Sequence, residues 1–179
     1  SSEPAPAPPP YGREAGSPLT LADGTVIALW TLHPDHLEIT HPADVPSDIG
    51  VYFAGWTLRR PPTPGATITL DTFWRIDALR DERGVWAFAP FAHLLDGSGA
   101  RLAISDGTVI PPLTWEAGDL IVQRHTLTIP ADAREPLAFD VGLFDAIRTR
   151  EDGTPGINAI FYLTDGDETF FSPTIRLAP

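Results

Sequence analysis

The chain has 179 residues, with a hydrophobic fraction of 42% and a charged fraction of 20%, which is the composition of a globular protein. Its 24 acidic residues outnumber the 12 basic ones and give a formal net charge of −12. This balance argues against nucleic acid and anionic membranes as partners, because both are bound through clustered basic residues. Cys is absent, which excludes disulfides, thiolate metal sites and a Cys nucleophile. No apolar stretch is long enough for a membrane-spanning helix, so we expect no membrane insertion by this segment.

A Pro- and Ala-rich segment, residues 1–18, is predicted to be a disordered or extended tether. Residues 3–10 read EPAPAPPP, the composition of a semi-rigid polyproline-type spacer. In bacterial exported proteins such spacers often follow a processed signal or a lipid-modified Cys. We therefore expect an extracytoplasmic, envelope-tethered or secreted protein, with a lipid or membrane anchor upstream of Ser1 as one option. An interdomain linker in a longer chain is the alternative.

Short apolar runs separated by turn signals follow the tether, which is the pattern of an all-β protein. Alternation of apolar and polar residues predicts strands over residues 25–32, 36–41, 50–58, 67–76, 85–95, 101–104, 120–129, 137–146, 157–163 and 169–177. In the third strand, Tyr52, Ala54, Trp56 and Leu58 are expected to lie in phase on the apolar face. In the fourth strand, the residues expected to face one way are Ile68, Leu70, Trp74 and Ile76. No window shows the period of an amphipathic helix.

So many short strands, each with one apolar face, are packed most economically as two sheets face to face. Residues 19–179 are therefore predicted to form a single β-sandwich domain, immunoglobulin-like or carbohydrate-binding-module-like. A closed β-barrel is the alternative. The five Trp and nine Phe residues predict an aromatic core, with one or two of these side chains left as ligand-binding surfaces.

Several short motifs between residues 55 and 149 occur in a recognisable order. They are GWTL at 55–58, PGATITL at 64–70, FWR at 73–75, FAHLLD at 91–96, Gly99, Asp106, WEAGD at 115–119, LTIP at 127–130 and VGLFD at 141–145. Together they resemble a β-sandwich domain found at the C-termini of bacterial polytopic glycosyltransferase-like membrane proteins and in related exported proteins. The resemblance implies an accessory sandwich domain outside the cytoplasm, and it carries over no catalytic residue.

Aromatic residues give the positive functional signal in this sequence. Trp86 follows a turn, Trp115 lies in a Pro-rich loop, and Phe170 adjoins Phe171, so that one of this pair should face away from the core. Flat aromatic faces flanked by Asp and Arg commonly bind neutral sugars, so carbohydrate is the expected ligand class. A plug over one end of the sandwich is the alternative role for Trp115.

Candidate metal ligands occur in one His-rich segment and in several acidic turns. His33, His36 and His41 could hold zinc, although strand alternation would point His36 and His41 to opposite sides. The acidic turns at residues 96–99, 106–107, 151–153 and 165–168 could hold a structural calcium ion. Asp-Gly is also ordinary hairpin-turn chemistry, so plain turns are the alternative.

Catalytic machinery is not evident from the motifs. Asp71 and Asp140 fall mid-strand, opposite the apolar residues, where a solvated sheet surface explains them. His93, in phase with Phe91 and Leu95, is predicted to be a buried His satisfied by a backbone carbonyl. We therefore predict a non-catalytic binding or accessory module rather than an enzyme. The alternative is a protein-interaction domain of the cell envelope, and a metal-dependent hydrolase is the third option.

Overall fold

The computed structural model describes residues 12–14, 19–20, 26–27, 30–32, 38–77, 88–107, 117–149 and 155–179. The chain divides into two compact units, residues 1–38 and 39–179. In the first unit, β1 (Gly12–Glu14) pairs with β4 (Trp30–Leu32), and β2 (Leu19–Thr20) pairs with β3 (Val26–Ile27), both antiparallel. Within the described ranges, no helix has the length and apolarity needed to cross a membrane.

In its described residues, the second unit contains two larger antiparallel sheets and one two-stranded sheet, none closed into a barrel, which confirms the predicted β-sandwich. Its strands are β5 (His41–Pro46), β6 (Val51–Leu58), β7 (Thr67–Ile76), β8 (Phe88–Leu95), β9 (Arg101–Asp106), β10 (Leu120–Thr128), β11 (Ala138–Thr149), β12 (Pro155–Asn158), β13 (Phe161–Asp165), β14 (Glu168–Ser172) and β15 (Ile175–Leu177). The first sheet has the order β10-β7-β6-β5. The second sheet has the order β9-β8-β11, and the free side of β11 pairs with β12 along one part of its length and with β15 along another. Strands β13 and β14 form a separate hairpin.

The core lies between the inner faces of the two sheets. As predicted, β7 turns its apolar residues Ile68, Leu70, Trp74 and Ile76 inward, and all four are almost inaccessible to solvent. They belong to one hydrophobic cluster. Other strands contribute to it residues that include Phe53, Leu94, Leu127, Phe139, Val141 and Phe161. Burial on this scale, at about 25 cal/mol per Å² of apolar surface, is the main force that holds the sheets together.

A β-bulge in β6 changes which of its side chains face the core. Phe53 and Gly55 oppose successive residues of β7, so Ala54 is an extra residue and the phase of the strand shifts by one. The strand therefore buries Phe53 before the bulge and Trp56 after it. The prediction that Tyr52 and Ala54 share the core-facing phase with Trp56 is wrong, because simple alternation does not continue through a bulge.

Strand β5 begins at His41, so the predicted strand at residues 36–41 is wrong in the part that is described, residues 38–40. Pro42 and Pro46 lie within β5, which is possible because β5 is the edge strand of its sheet and Pro lacks the amide donor that a central strand needs. Beside it, Gly55 has a φ of 135°, and an added Cβ would clash with the His41 carbonyl oxygen and lie 2.6 Å from Ile39 Cγ2. Glycine is therefore required where β6 approaches the chain that leads into β5.

Two predicted strands, residues 157–163 and 169–177, are each divided in two by a short corner. Between β12 and β13, the Ile160 carbonyl accepts a hydrogen bond from the Asp48 amide, and the Ile160 amide donates to Asp48 Oδ1, both at 2.9 Å. Pro173 separates β14 from β15. The prediction of continuous strands is wrong there, because a corner of two residues leaves little trace in the apolar pattern. The chain thus leaves the second sheet, forms the β13–β14 hairpin and returns to pair with β11.

Candidate functional site

An open groove with a volume of about 770 Å³ lies at one end of the sandwich. The first sheet contributes His41, Trp56 and Leu58, and the loop after β6 contributes residues 59–62. Residues 135–137, which lead into β11, and Pro179, which follows β15, come from the second sheet. Such a volume is typical of small-ligand sites. Because the groove is open, it can also admit a section of a longer polymer.

Two stacked rings form the aromatic part of this end groove. His41 and Trp56 are partners across the β5–β6 ladder, and their ring centroids lie 3.8 Å apart with an interplanar angle of 8°. Trp56 is only 6% exposed, whereas His41 is exposed. The imidazole therefore covers the indole and is the more accessible ring of the pair.

A buried carboxylate holds one of the groove arginines in place. Asp71 is 1% exposed and accepts two hydrogen bonds from Arg124, at 2.8 and 3.0 Å, and one from Arg59 at 3.3 Å. Both Arg side chains are 41% exposed. The prediction of a solvated Asp71 is wrong, since the two guanidinium groups cover the carboxylate and compensate its loss of water.

Two further charged residues line the groove and are exposed to solvent. Arg60 follows Arg59 in the loop after β6, and Glu135 lies on the side of the second sheet. No ion pair joins Arg60 to Glu135 or to another residue in the described part of the chain. The groove therefore combines aromatic and Pro surfaces with hydrogen-bond donors and a carboxylate acceptor.

The structure places the predicted aromatic ligand-binding residues away from this groove or leaves them undescribed. Trp86 and Trp115 lie outside the described residues. Phe170 is 48% exposed and its neighbour Phe171 69% exposed on β14, so both are accessible where one was expected. Tyr162 contacts Phe171 edge-on, with ring centroids 5.4 Å apart. Tyr162 and Phe171 thus form an aromatic surface on one face of the hairpin, and Phe170 lies on its other face; none of the three lines the groove.

The predicted zinc ligands are not brought together in the described part of the chain. His33 and His36 lie outside it, and the ring of His41 stacks on Trp56. Among the described residues, no group of three or more His, Cys, Asp or Glu side chains is positioned to hold a metal ion.

One of the acidic turns uses its own carboxylate as an acceptor. Asp96 Oδ1 accepts hydrogen bonds from the amide and hydroxyl of Ser98, at 2.9 and 2.6 Å, and from the amide of Ala100 at 3.0 Å. The hydrogen bond from the Ser98 side chain is the main reason why the pKa of Asp96 is lowered. Residues 165–168 form the turn of the β13–β14 hairpin, and residues 151–153 lie outside the described residues.

A largely buried chain of polar side chains connects the two sheets. Trp74 Nε1 donates to Thr72 Oγ1 at 2.9 Å, Thr72 Oγ1 lies 3.2 Å from His125 Nε2, and His125 Nδ1 lies 3.2 Å from Ser105 Oγ on β9. His125 is completely buried. Burial lowers the pKa of His125 to about 4, and a hydrogen bond to the Ser105 backbone and the charge of Asp71 offset this only in part. The imidazole is therefore neutral at pH 7.

Sequence reasoning missed His125, although a signal for it exists. His125 alternates with polar residues and shares the phase of the buried residues Leu127 and Ile129. Its contact with Ser105 resembles half of a catalytic dyad, but complete burial keeps a substrate from the imidazole. The contact instead satisfies polar groups inside the sandwich.

The two remaining candidates lie on the outer face of the second sheet. His93 is half-buried rather than buried, and it stacks on Phe91 with ring centroids 4.7 Å apart. Burial first, and then the charge of Arg101, lower the pKa of His93. Asp140, which pairs with His93 across the ladder, accepts two hydrogen bonds from the exposed Arg176. These four side chains therefore form two local pairs on the outer face of the sheet.

The fold and the groove define a β-sandwich with an open, mixed aromatic and charged site at one end. No protein-family model, no curated protein and no solved structure matches this chain. The resemblance to the accessory domain of glycosyltransferase-like membrane proteins therefore stays a prediction.

Proposed function

We propose that this protein is a non-catalytic binding module whose end groove binds carbohydrate. The observation that carries the proposal is the open groove in which the exposed His41 ring, backed by Trp56, lies beside Arg60, Glu135 and several Pro rings. A sugar ring has apolar C–H faces and polar hydroxyls at its rim. The groove matches both features, since its ring surfaces can pack on the apolar face while Arg and Glu bond to hydroxyls.

The proposal is tested by screening the purified chain on a glycan array and measuring the affinities of the hits by calorimetry. His41→Ala should weaken binding roughly three- to tenfold, because it removes one aromatic contact. His93→Ala is the matched control, since His93 also stacks on an aromatic ring but lies outside the groove. An array without any binding signal would contradict the proposal, as would equal effects of the two substitutions.

A second candidate function, protein interaction in the cell envelope, is favoured by the β13–β14 hairpin. Phe170 and Phe171 are both strongly exposed there, and Phe171 contacts the ring of Tyr162, so one face of the hairpin carries an aromatic pair of the kind found at interaction surfaces. Capture experiments from envelope extracts should retain a specific partner with the wild-type chain and lose it with Phe171→Ser. Thr169→Ser, an exposed change on the same strand, is the control. Equal capture by both variants would argue against this function.

An extracytoplasmic location is part of the proposal and is supported by the Pro- and Ala-rich composition of residues 3–10. In cells that express the full-length gene and whose outer membrane, where present, has been permeabilised, added protease should degrade the protein while a cytoplasmic marker stays intact. Protection under these conditions, together with degradation after lysis, would place the protein inside the cytoplasm and contradict this part of the proposal.

A further inference from the structure

The end groove has a local charge opposite to that of the whole chain. The chain carries a net charge of −12, and all of its 12 basic residues are Arg. Two of them, Arg59 and Arg60, lie side by side at the groove, with Glu135 as the acidic side chain among its lining residues. A cationic edge on a strongly acidic protein is expected to attract an anionic group to this place.

Asp71 neutralises the charge of the two arginines only in part, and it also fixes the position of Arg59. The carboxylate is shared by Arg59 and Arg124, so the three groups together retain a net positive charge. Because Asp71 is buried and bonds to both side chains, the guanidinium of Arg59 is held in place rather than free in solvent. Less conformational entropy is therefore lost when a ligand binds beside it.

Arg60 is the residue that can bond to the anion directly. It lines the groove and is exposed, and it makes no ion pair within the part of the chain that the structure describes. A guanidinium matches the geometry of a carboxylate or a sulfate, with two parallel N–H donors. One such residue suffices for an isolated acidic group but not for a dense row of them.

We propose, on the basis of the carbohydrate-binding function proposed above, that the ligand is a mainly neutral glycan with isolated acidic groups. Neutral sugar rings pack against His41 and the Pro residues, while Arg60 binds the carboxylate or sulfate of an acidic sugar. A densely charged polyanion, whether polyuronate or nucleic acid, is repelled by the net charge of −12 and finds too few cations in the groove.

The test compares glucuronoxylan, in which uronates are separated by neutral sugars, with its carboxyl-reduced form and with polygalacturonate. The affinity for gellan is likewise compared with that for its carboxyl-reduced form. A sulfated galactan and its desulfated counterpart then show whether the groove binds sulfate as well as carboxylate. A sparsely acidic glycan should bind about tenfold more tightly than its neutralised form, and polygalacturonate should bind more weakly than either. Raising the salt concentration from about 0.05 to about 0.5 M should remove most of the tenfold advantage, because exposed charges are then screened.

Arg60→Gln should reduce binding of the acidic glycan about tenfold and leave binding of its neutralised form unchanged. Arg101→Gln, an exposed Arg on β9 outside the groove, is the matched control and should change neither. If neutralised and acidic forms bind equally, or if Arg60→Gln has no effect, the inference fails while carbohydrate binding stands. Tightest binding of polygalacturonate also overturns the inference. If no glycan binds in either form, the inference and the proposed function both fail.

Discussion

Acid should destabilise this protein through His125 before most of its carboxylates are protonated. The imidazole has a pKa of about 4 in the folded chain, against 6.5 for an unperturbed His, because burial disfavours its charged form. Between these two values the unfolded state binds more protons than the folded state. The stability due to the neutral buried His is therefore fully present above pH 6.5 and is lost as the pH falls towards 4. The loss amounts to about 2 kcal/mol at pH 5 and about 3 kcal/mol below pH 4.

The measurement is urea unfolding at several pH values between 4 and 7.5, for the wild type and for His125→Gln. Glutamine can bond to the hydroxyls of Thr72 and Ser105 but does not titrate, so the variant keeps the contributions of the carboxylates and loses that of the His. The difference in unfolding free energy between the two proteins should change by about 2 kcal/mol between pH 7.5 and 5. Parallel curves over this range would refute the reasoning, because they would show that His125 binds its proton equally well in both states.

Two further predictions concern the first sheet, and each is paired with a control substitution elsewhere in the sandwich. Gly55→Ala should cost more than about 2 kcal/mol of unfolding free energy because it combines a positive φ with a backbone clash. Gly99→Ala, with a φ of 81° and open space around it, should cost only about 1 kcal/mol, and equal losses would contradict the clash. Asp71→Asn should cost about 2 kcal/mol, less than for a fully buried pair because both Arg partners are partly exposed. Asp140 is more exposed than Asp71, so Asp140→Asn should cost below about 1 kcal/mol. The unfolding free energies of all four variants are measured by urea unfolding.

The sequence predicted those parts of the fold that depend on uninterrupted alternation. In β7 every second residue from Ile68 to Ile76 faces the core, so its apolar inward residues were predicted correctly, and the sandwich follows from many strands of this kind. The failures lie where alternation is interrupted. The bulge at Ala54 reverses the phase of β6, and the corners at Ile160 and Pro173 divide strands that looked continuous. Each interruption involves one or two residues, which is too short to leave a periodic signal.

The candidate site could not be predicted because its residues come from four separated parts of the chain. His41, Trp56, Glu135 and Pro179 meet only when the strand register and the packing of the two sheets are known. The same limit explains why Asp71 looked solvated: its partner Arg124 lies on a neighbouring strand, and a single sequence does not reveal which residues face each other. His125 is a different case, since the sequence itself places it in phase with the apolar residues Leu127 and Ile129.

The bulge in β6, which made the predicted phase of this strand wrong, also places Trp56 in the groove. If β6 alternated regularly from Phe53, Gly55 and Thr57 would face inward and Trp56 would lie on the outer face of the sheet. The extra residue at Ala54 instead turns Trp56 inward, opposite His41 at the start of β5, where the two rings stack at the open end of the sandwich. Bulges are frequent next to binding sites because they redirect a side chain without disturbing the rest of the strand. The ring stack therefore depends on a local departure from ideal sheet geometry, and the glycine that permits the close approach is as much a part of the site as the rings are.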